Sequence, residues 1–211
     1  VLTTADQLVG LNQIRKKSEG AVTFEGITVK LGADMIINDG DMDAVIARGS
    51  SNKPWVAVSS AYTFNGILDG QGHTVKNLVV TGNNNYAGLF GFTKTGAVKN
   101  LTIENVNIQT TGHIVAAAIA YPYYTTVENI TVKGGDNGMD AVIAEGGKVT
   151  LTNCVLSAGK AGINADNNSE AAGVAADITV NGGKFVAYDG AAAQRNCAIE
   201  LRKSGANGPK V

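Results

Sequence analysis

The chain has 211 residues, with 17 Lys+Arg against 18 Asp+Glu and a net charge of -1, so its balance implies no nucleic-acid or other polyanionic partner. Charged residues are 17% and aromatics 6% of the chain, while Gly reaches 27 and Pro only 3. That excludes collagen and Pro/Gly-type disorder and points to turn-rich β architecture with a core of Val and Ala.

The first element differs from the rest. Thr4-Ala-Asp-Gln7 has the spacing of a capping box, Leu8, Leu11 and Ile14 recur at helical intervals, and Arg15-Lys16-Lys17 suit a helix C-terminus. An amphipathic helix is predicted over residues 4–18, ending near Gly20. After it the helical period disappears, and residues 21–204 read as short alternating strands punctuated by Gly and Asn. The closing segment 205–211 reads as a tail. The whole chain is expected to form one domain.

The strands repeat. Asn77-Leu-Val-Val80, Asn100-Leu-Thr-Ile103, Asn129-Ile-Thr-Val132, Asn153-Cys-Val-Leu156 and Asp177-Ile-Thr-Val180 share one pattern, at spacings of 23, 29, 24 and 24. Gly26-Ile-Thr-Val29 and Trp55-Val-Ala-Val58 extend it backwards and Asn196-Cys-Ala-Ile199 forwards, giving eight anchors. A period near 24 with one strand per copy suits a solenoid. A leucine-rich repeat is excluded by the missing consensus and the absence of a second helix. The expectation is an all-β, single-stranded parallel β-helix of about eight coils, with β-branched residues stacked inside. Asn77, Asn100, Asn129 and Asn153 are expected to form one side-chain ladder at a turn, and the helix over 4–18 to cover the open sheet edge at the start.

Phe64-Asn-Gly-Ile-Leu-Asp-Gly-Gln-Gly-His-Thr-Val-Lys-Asn-Leu78, Ala87-Gly-Leu-Phe-Gly91 and Gly96-Ala-Val-Lys-Asn-Leu-Thr-Ile103 carry a likeness beyond the period. Over roughly residues 60–135 the chain resembles the GLUG-motif family of bacterial surface proteins. The resemblance implies a right-handed β-helix of pectate-lyase-like shape on exported, adhesin-like proteins, and it implies no enzymatic reaction. The pattern decays later, where Ala117-Ala-Ile-Ala120 replaces a second Gly-Leu-Phe-Gly-like copy.

Within the motif, Asp69 is placed to bond backbone amides of the turn that it opens, and Gly88 and Gly91 set Leu89 and Phe90 on a tight corner. A lyase or hydrolase needs converging acids with a basic residue. No aligned pair of acids recurs, and His73 and His113 fall in turn-like segments. Asn38-Asp-Gly-Asp-Met-Asp43 resembles the start of a calcium loop, with Asp39, Asp41 and Asp43 as candidate ligands, but the distal Glu is missing because the twelfth position is Ser50. Met42-Asp-Ala-Val-Ile-Ala47 recurs as Met139-Asp-Ala-Val-Ile-Ala144, 97 residues later. That recurrence is read as structural repetition.

Flat rings are what a sugar-binding surface requires. Tyr121-Pro-Tyr-Tyr124 is the densest aromatic cluster, with Trp55 and Tyr62 earlier in the chain, and these five are the candidate ligand-binding residues. Cys154 and Cys197 fall at the same inward anchor, two coils apart, which puts them near ~9.6 Å. Both are expected as reduced thiols, since a disulfide needs Cα atoms within about 7 Å. The expected function is a non-catalytic, extracellular or cell-surface, monomeric module that binds glycan or host protein, with no cofactor. A polysaccharide lyase or hydrolase and a plain spacer stalk are the alternatives. No apolar run approaches the ~18 residues of a membrane helix and no signal-peptide pattern opens the sequence, so a membrane is expected only through an anchor outside it.

Overall fold

The structure is a computed structural model that describes residues 1–18, 21–53, 55, 63–82, 86–110, 114–133, 140–144, 147–157, 161–166, 176–186 and 197–202. Helix α1 spans Ala5–Lys17. Its capping box forms in both directions: Thr4 Oγ1 accepts from the Gln7 N–H at 3.3 Å, and Gln7 Oε1 accepts from the N–H groups of Thr4 and Thr3 at 3.3 and 2.6 Å. Leu8 and Leu11 are buried, but Ile14 is 51% exposed. Only the first two members of the expected stripe therefore reach the core.

Beyond α1 the chain is mostly β. In order come β1 (Thr28–Lys30), β2 (Met35–Ile36), helix α2 (Met42–Arg48), β3 (Ile67–Asp69), β4 (Thr74–Gly82), β5 (Tyr86–Ala87), β6 (Phe90–Lys94) and β7 (Ala97–Thr110). Then follow β8 (Ile114–Tyr123), β9 (Thr125–Lys133), β10 (Asp140–Ala144), β11 (Gly147–Ser157), β12 (Ala161–Asp166), β13 (Ala176–Val186) and β14 (Cys197–Arg202). Every strand pairing among the described residues is parallel. The first sheet runs β1-β3-β7-β9-β11-β13, with β2 and β4 joined to it, and the second runs β14-β12-β10-β8-β5, with β6 also on β8. From β3 onward, each pass of the chain adds to the first sheet and then to the second.

The register explains the composition. Val29, Leu68, Val98, Val127, Leu151 and Val180 stand in one column across the first sheet, and Met35, Val75, Ile103, Val132, Leu156 and Phe185 in another. Parallel strands lie about 4.8 Å apart, so branched side chains pile on like neighbours. Leu8 and Leu11 of α1 join the same core cluster, which closes the start of the stack with apolar surface. Glycine serves the same closeness: a Cβ at Gly88 would lie 2.3 Å from the carbonyl oxygen of Ala116 on the next rung, and one at Gly70 would lie 2.4 Å from that of Asn100.

Among the described residues the columns hold six passes. The anchors went astray because β7 turns two corners, five residues apart. Asn100 and Asn105 both take left-handed backbone, with φ 54° and 53°, and each bends the strand. Asn77 is the rung-neighbour of Asn105, not of Asn100, since Lys76 pairs Glu104 and Leu78 pairs Val106. The expected single ladder is therefore two. In one, Asn105 Nδ2 donates to Asn77 Oδ1 (3.1 Å), and Asn77 Nδ2 donates to the carbonyls of Asn38 and Gly40 (2.6 and 2.7 Å). In the other, Asn129 Nδ2 donates to Asn100 Oδ1 (2.9 Å) and Asn100 Nδ2 to Asp69 Oδ1 (3.0 Å). Asn153, at φ 50°, continues this second corner, because its flanks Thr152 and Val155 pair Glu128 and Thr131 around Asn129.

The two sheets also separate the cysteines, which were expected at one anchor. Cys154 is in the first sheet, where it pairs Gly183, and Cys197 opens β14 in the second, where it pairs Ala161. They do not share an anchor column. Cys154 is a free, fully buried thiol, and burial pushes its pKa up, as for a small apolar residue.

The repeated hexapeptide is a second correction. Its first copy lies in helix α2, capped by Asp41, whose Oδ1 accepts from the Ala44 N–H at 2.9 Å; residues 140–144 of its second copy are strand β10, between β8 and β12. The first pass needs 39 residues from Thr28 to Ile67, where the next two need 30 and 29. That surplus is close to the length of α2 with the 3-10 turn Gly49–Ser51 behind it, so the first copy is an insertion and the second a rung.

Candidate functional site

Strands β5, β6 and β8 carry the rings. Phe92 pairs Tyr121, Thr93 pairs Pro122, and Lys94 pairs Tyr123. Strand alternation fixes the faces. Thr93 points inward, fully buried, with its hydroxyl 2.8 Å from that of Thr125, so Phe92, Lys94, Tyr121 and Tyr123 stand on the outer face. Tyr86 meets Tyr121 edge-on at 5.5 Å, Phe92 meets it edge-on at 4.9 Å, and Tyr123 stacks beside it at 6.5 Å. Tyr124 closes the chain edge-on to Tyr123 at 4.7 Å. These distances are those of favourable aromatic pairs.

The rings are graded in exposure. Tyr121 is 8% exposed and, with Ala116 and Ala120, forms a small apolar cluster separate from the main core, flanked by Tyr86, Phe92 and Tyr123. Tyr124 is 50% exposed. Burial pushes the Tyr123 phenol pKa up, and the neighbouring Tyr124 adds to the shift through its charge and its hydrogen bond. The arrangement is a packed base of rings ending in one ring offered to solvent.

Tyr124 is held there by its backbone, at φ 50°. It occupies the corner between β8 and β9, and Thr95 occupies the same corner on the preceding rung, also left-handed at φ 57°. A bulky side chain in that region is strained, and such strain persists only where neighbours over-determine it.

Of the candidate residues, Tyr121, Tyr123 and Tyr124 are thus brought together, with Tyr121 as support and not as contact surface. Trp55 is a correction: it is 2% exposed, and its indole Nε1 donates to the carbonyls of Gly88 and Leu89 at 3.1 and 3.2 Å. Its ring belongs to the core. Tyr62 lies outside the described residues. Tyr86 and Phe92 escaped sequence reasoning, although Phe92 stands 29 residues before Tyr121 and a 29-residue step would have exposed it.

Asp41 of the candidate calcium loop is spent on the α2 cap, and the Asp39 carbonyl accepts from the Arg48 guanidinium. Among the described residues no group of three or more His, Cys, Asp or Glu gathers as metal ligands do. His73 Nδ1 is 3.3 Å from Asp34 Oδ1, which also accepts from the Thr74 N–H at 2.9 Å. That backbone bond is the main cause of the lowered Asp34 pKa, with His73 adding to it against a smaller opposing effect of burial. His113 lies outside the described residues. Asp69 bonds as expected, its Oδ1 accepting from the Gln71 N–H at 3.1 Å. Burial works to raise its pKa, but the Asn100 amide, two bonds from Gln71 and the charge of Lys99 together hold it below the ordinary value. Both acids are tied to turns.

No family model matches the chain, and no solved structure matches it. A stretch of 97 residues, 45% of this chain, is 36% identical to Halomucin of Haloquadratum walsbyi (strain DSM 16790 / HBSQ001). The chain spans about 1% of the length of that protein. No helix among the described residues is long and apolar enough to cross a membrane.

Proposed function

We propose that the chain is a non-catalytic, adhesin-like module of an exported surface protein, built as a right-handed parallel β-helix and binding glycan through the outer face of its second sheet. The observation that carries this reading is the packed series Tyr86, Phe92, Tyr121, Tyr123 and Tyr124, which ends in a half-exposed ring at a strained corner. A pyranose has one apolar face of C–H groups, and a tyrosine ring offers the matching flat surface with a polar tip. A rigid sheet beneath the ring lowers the ordering cost of binding. The likeness to the GLUG-motif family, the parallel stack and the partial match to a far longer protein support a repeat module of a large chain. The acids and His73 tied up at turns support binding over catalysis.

Screening of the purified chain on a glycan array, beside Tyr124→Ala, tests the reading. Wild type is expected to retain a defined set of glycans, and the variant to bind them about ten-fold more weakly, a loss of about 1.4 kcal/mol. Retention of no glycan, or retention unchanged by the substitution, overturns it.

A further inference from the structure

The tyrosine corner is flanked by two cations, one on each neighbouring rung. Lys94 pairs Tyr123 in register on the rung before, and it is exposed on the same outer face. Lys148 immediately precedes Val149, the register partner of Thr125, so it stands on the rung after, beside Tyr124. Val149 is buried, so strand alternation turns Lys148 outward, and Tyr124, in left-handed backbone at the corner, is itself exposed. Lys148 is exposed. Neither lysine forms an ion pair among the described residues; those that do are Lys53 with Asp6 and His73 with Asp34. Asp177, the register partner of Lys148 on the following rung, is exposed and makes no ion pair with it.

Among the described residues, two ammonium groups without an ion pair thus flank the half-exposed ring of Tyr124, in a chain of net charge -1. Lys94 opposes Tyr123 on the second sheet and Lys148 lies opposite Tyr124 at the start of a first-sheet strand, so their backbones stand two rungs and one residue apart, on the order of 10 Å, on the two sides of the corner that carries the ring. We infer that the corner takes an acidic saccharide, a linear chain of carboxylated sugars, with a sugar face on Tyr124 and carboxylates at Lys94 and Lys148. The inference rests on the glycan reading above and names its ligand class. The stacked ring supplies orientation, and the lysines supply the preference for charge. Because both lysines are solvated, each adds a modest, salt-sensitive gain.

The test is titration calorimetry of the purified chain with oligomannuronate and with the methyl ester of the same oligomer, which keeps the sugar and removes the charge. The acid form is expected to bind and the ester to bind at least about five-fold more weakly, with each of Lys94→Ala and Lys148→Ala costing about two- to five-fold for the acid form only. The double variant Lys17→Ala/Lys30→Ala removes twice the charge of either single variant from exposed positions elsewhere and is expected to leave affinity unchanged; circular dichroism verifies that all variants fold. Equal binding of acid and ester, or an equal loss in the Lys17/Lys30 control, overturns the acidic-saccharide inference while the glycan reading stands. Binding of neither form, with no neutral glycan retained on the array, overturns both.

Discussion

Two kinds of corner turn this chain, and both use left-handed backbone. At the asparagine corners, Asn77, Asn100, Asn105, Asn129 and Asn153 take φ between 50° and 60°, a region that Asn tolerates better than other side chains. The two ladders offset the strain: the amides of Asn77, Asn100, Asn105 and Asn129 each donate to the rung before. At the other corner, Thr95 and Tyr124 take the same backbone with φ 57° and 50°, and neither residue type is suited to it. Among the described residues the Thr95 hydroxyl donates to the adjacent Lys94 carbonyl, within its own rung, and the Tyr124 ring is half exposed. One set of corners spends strain on cohesion between rungs. The other keeps it, and what it gains is a ring held out from a rigid sheet.

Substitutions at the two corners should therefore separate stability from binding. The largest effect is expected at Asn77, which is 1% exposed and joins Asn38, Gly40 and Asn105. Asn77→Ala leaves a left-handed alanine and takes the amide donor from the carbonyls of buried Asn38 and of Gly40, and denaturant unfolding should show a loss of about 3 kcal/mol. Asn100→Ala, at a half-buried corner with two ladder bonds, should cost about 2 kcal/mol by the same measurement. It should also change the acid response. The folded pKa of Asp69 is lowered below its ordinary 3.8, so the stability it contributes is complete above that value and is lost as pH falls through the lowered one. Without the Asn100 amide that acid-linked loss should shrink, which an unfolding series from pH 6 to about 2 would show. The smallest stability effect is expected at Tyr124→Gly, where relief of strain opposes the loss of one ring contact and the result stays within about 1 kcal/mol of wild type.

How much of this was legible in the sequence depended on whether the signal was local. The helix at the start was readable to within a residue because its capping box and the buried pair Leu8 and Leu11 are written in consecutive turns. The parallel, mostly β character was readable from periodicity. The alignment of rungs was not: β7 carries Asn100 and Asn105 in one strand, and an alignment by asparagine cannot tell the first corner from the second without knowing that Asn77 meets Asn105. The hexapeptide beginning at Met42 and at Met139 makes the same point more sharply. Its letters are identical, yet Asp41 supplies a helix cap to one copy, whereas β8 and β12 supply parallel partners on both sides of the other. Context outside the six residues decides the outcome. For the site, the cluster of three tyrosines was visible, but Trp55 was misassigned because aromatic content says nothing of which face a ring takes, and Phe92 and the two lysines become visible only in register.

The central claim is that the Tyr124 ring is displayed for a ligand and not for cohesion. Saturation-transfer difference NMR on an array-selected oligosaccharide, with wild type and Tyr124→Gly at matched folded concentration, tests it most directly. Strong transfer to the C–H protons on one face of a sugar ring is expected with wild type, and its loss with Tyr124→Gly. Equal transfer with both proteins, or a variant that loses transfer only because it unfolds, would contradict it.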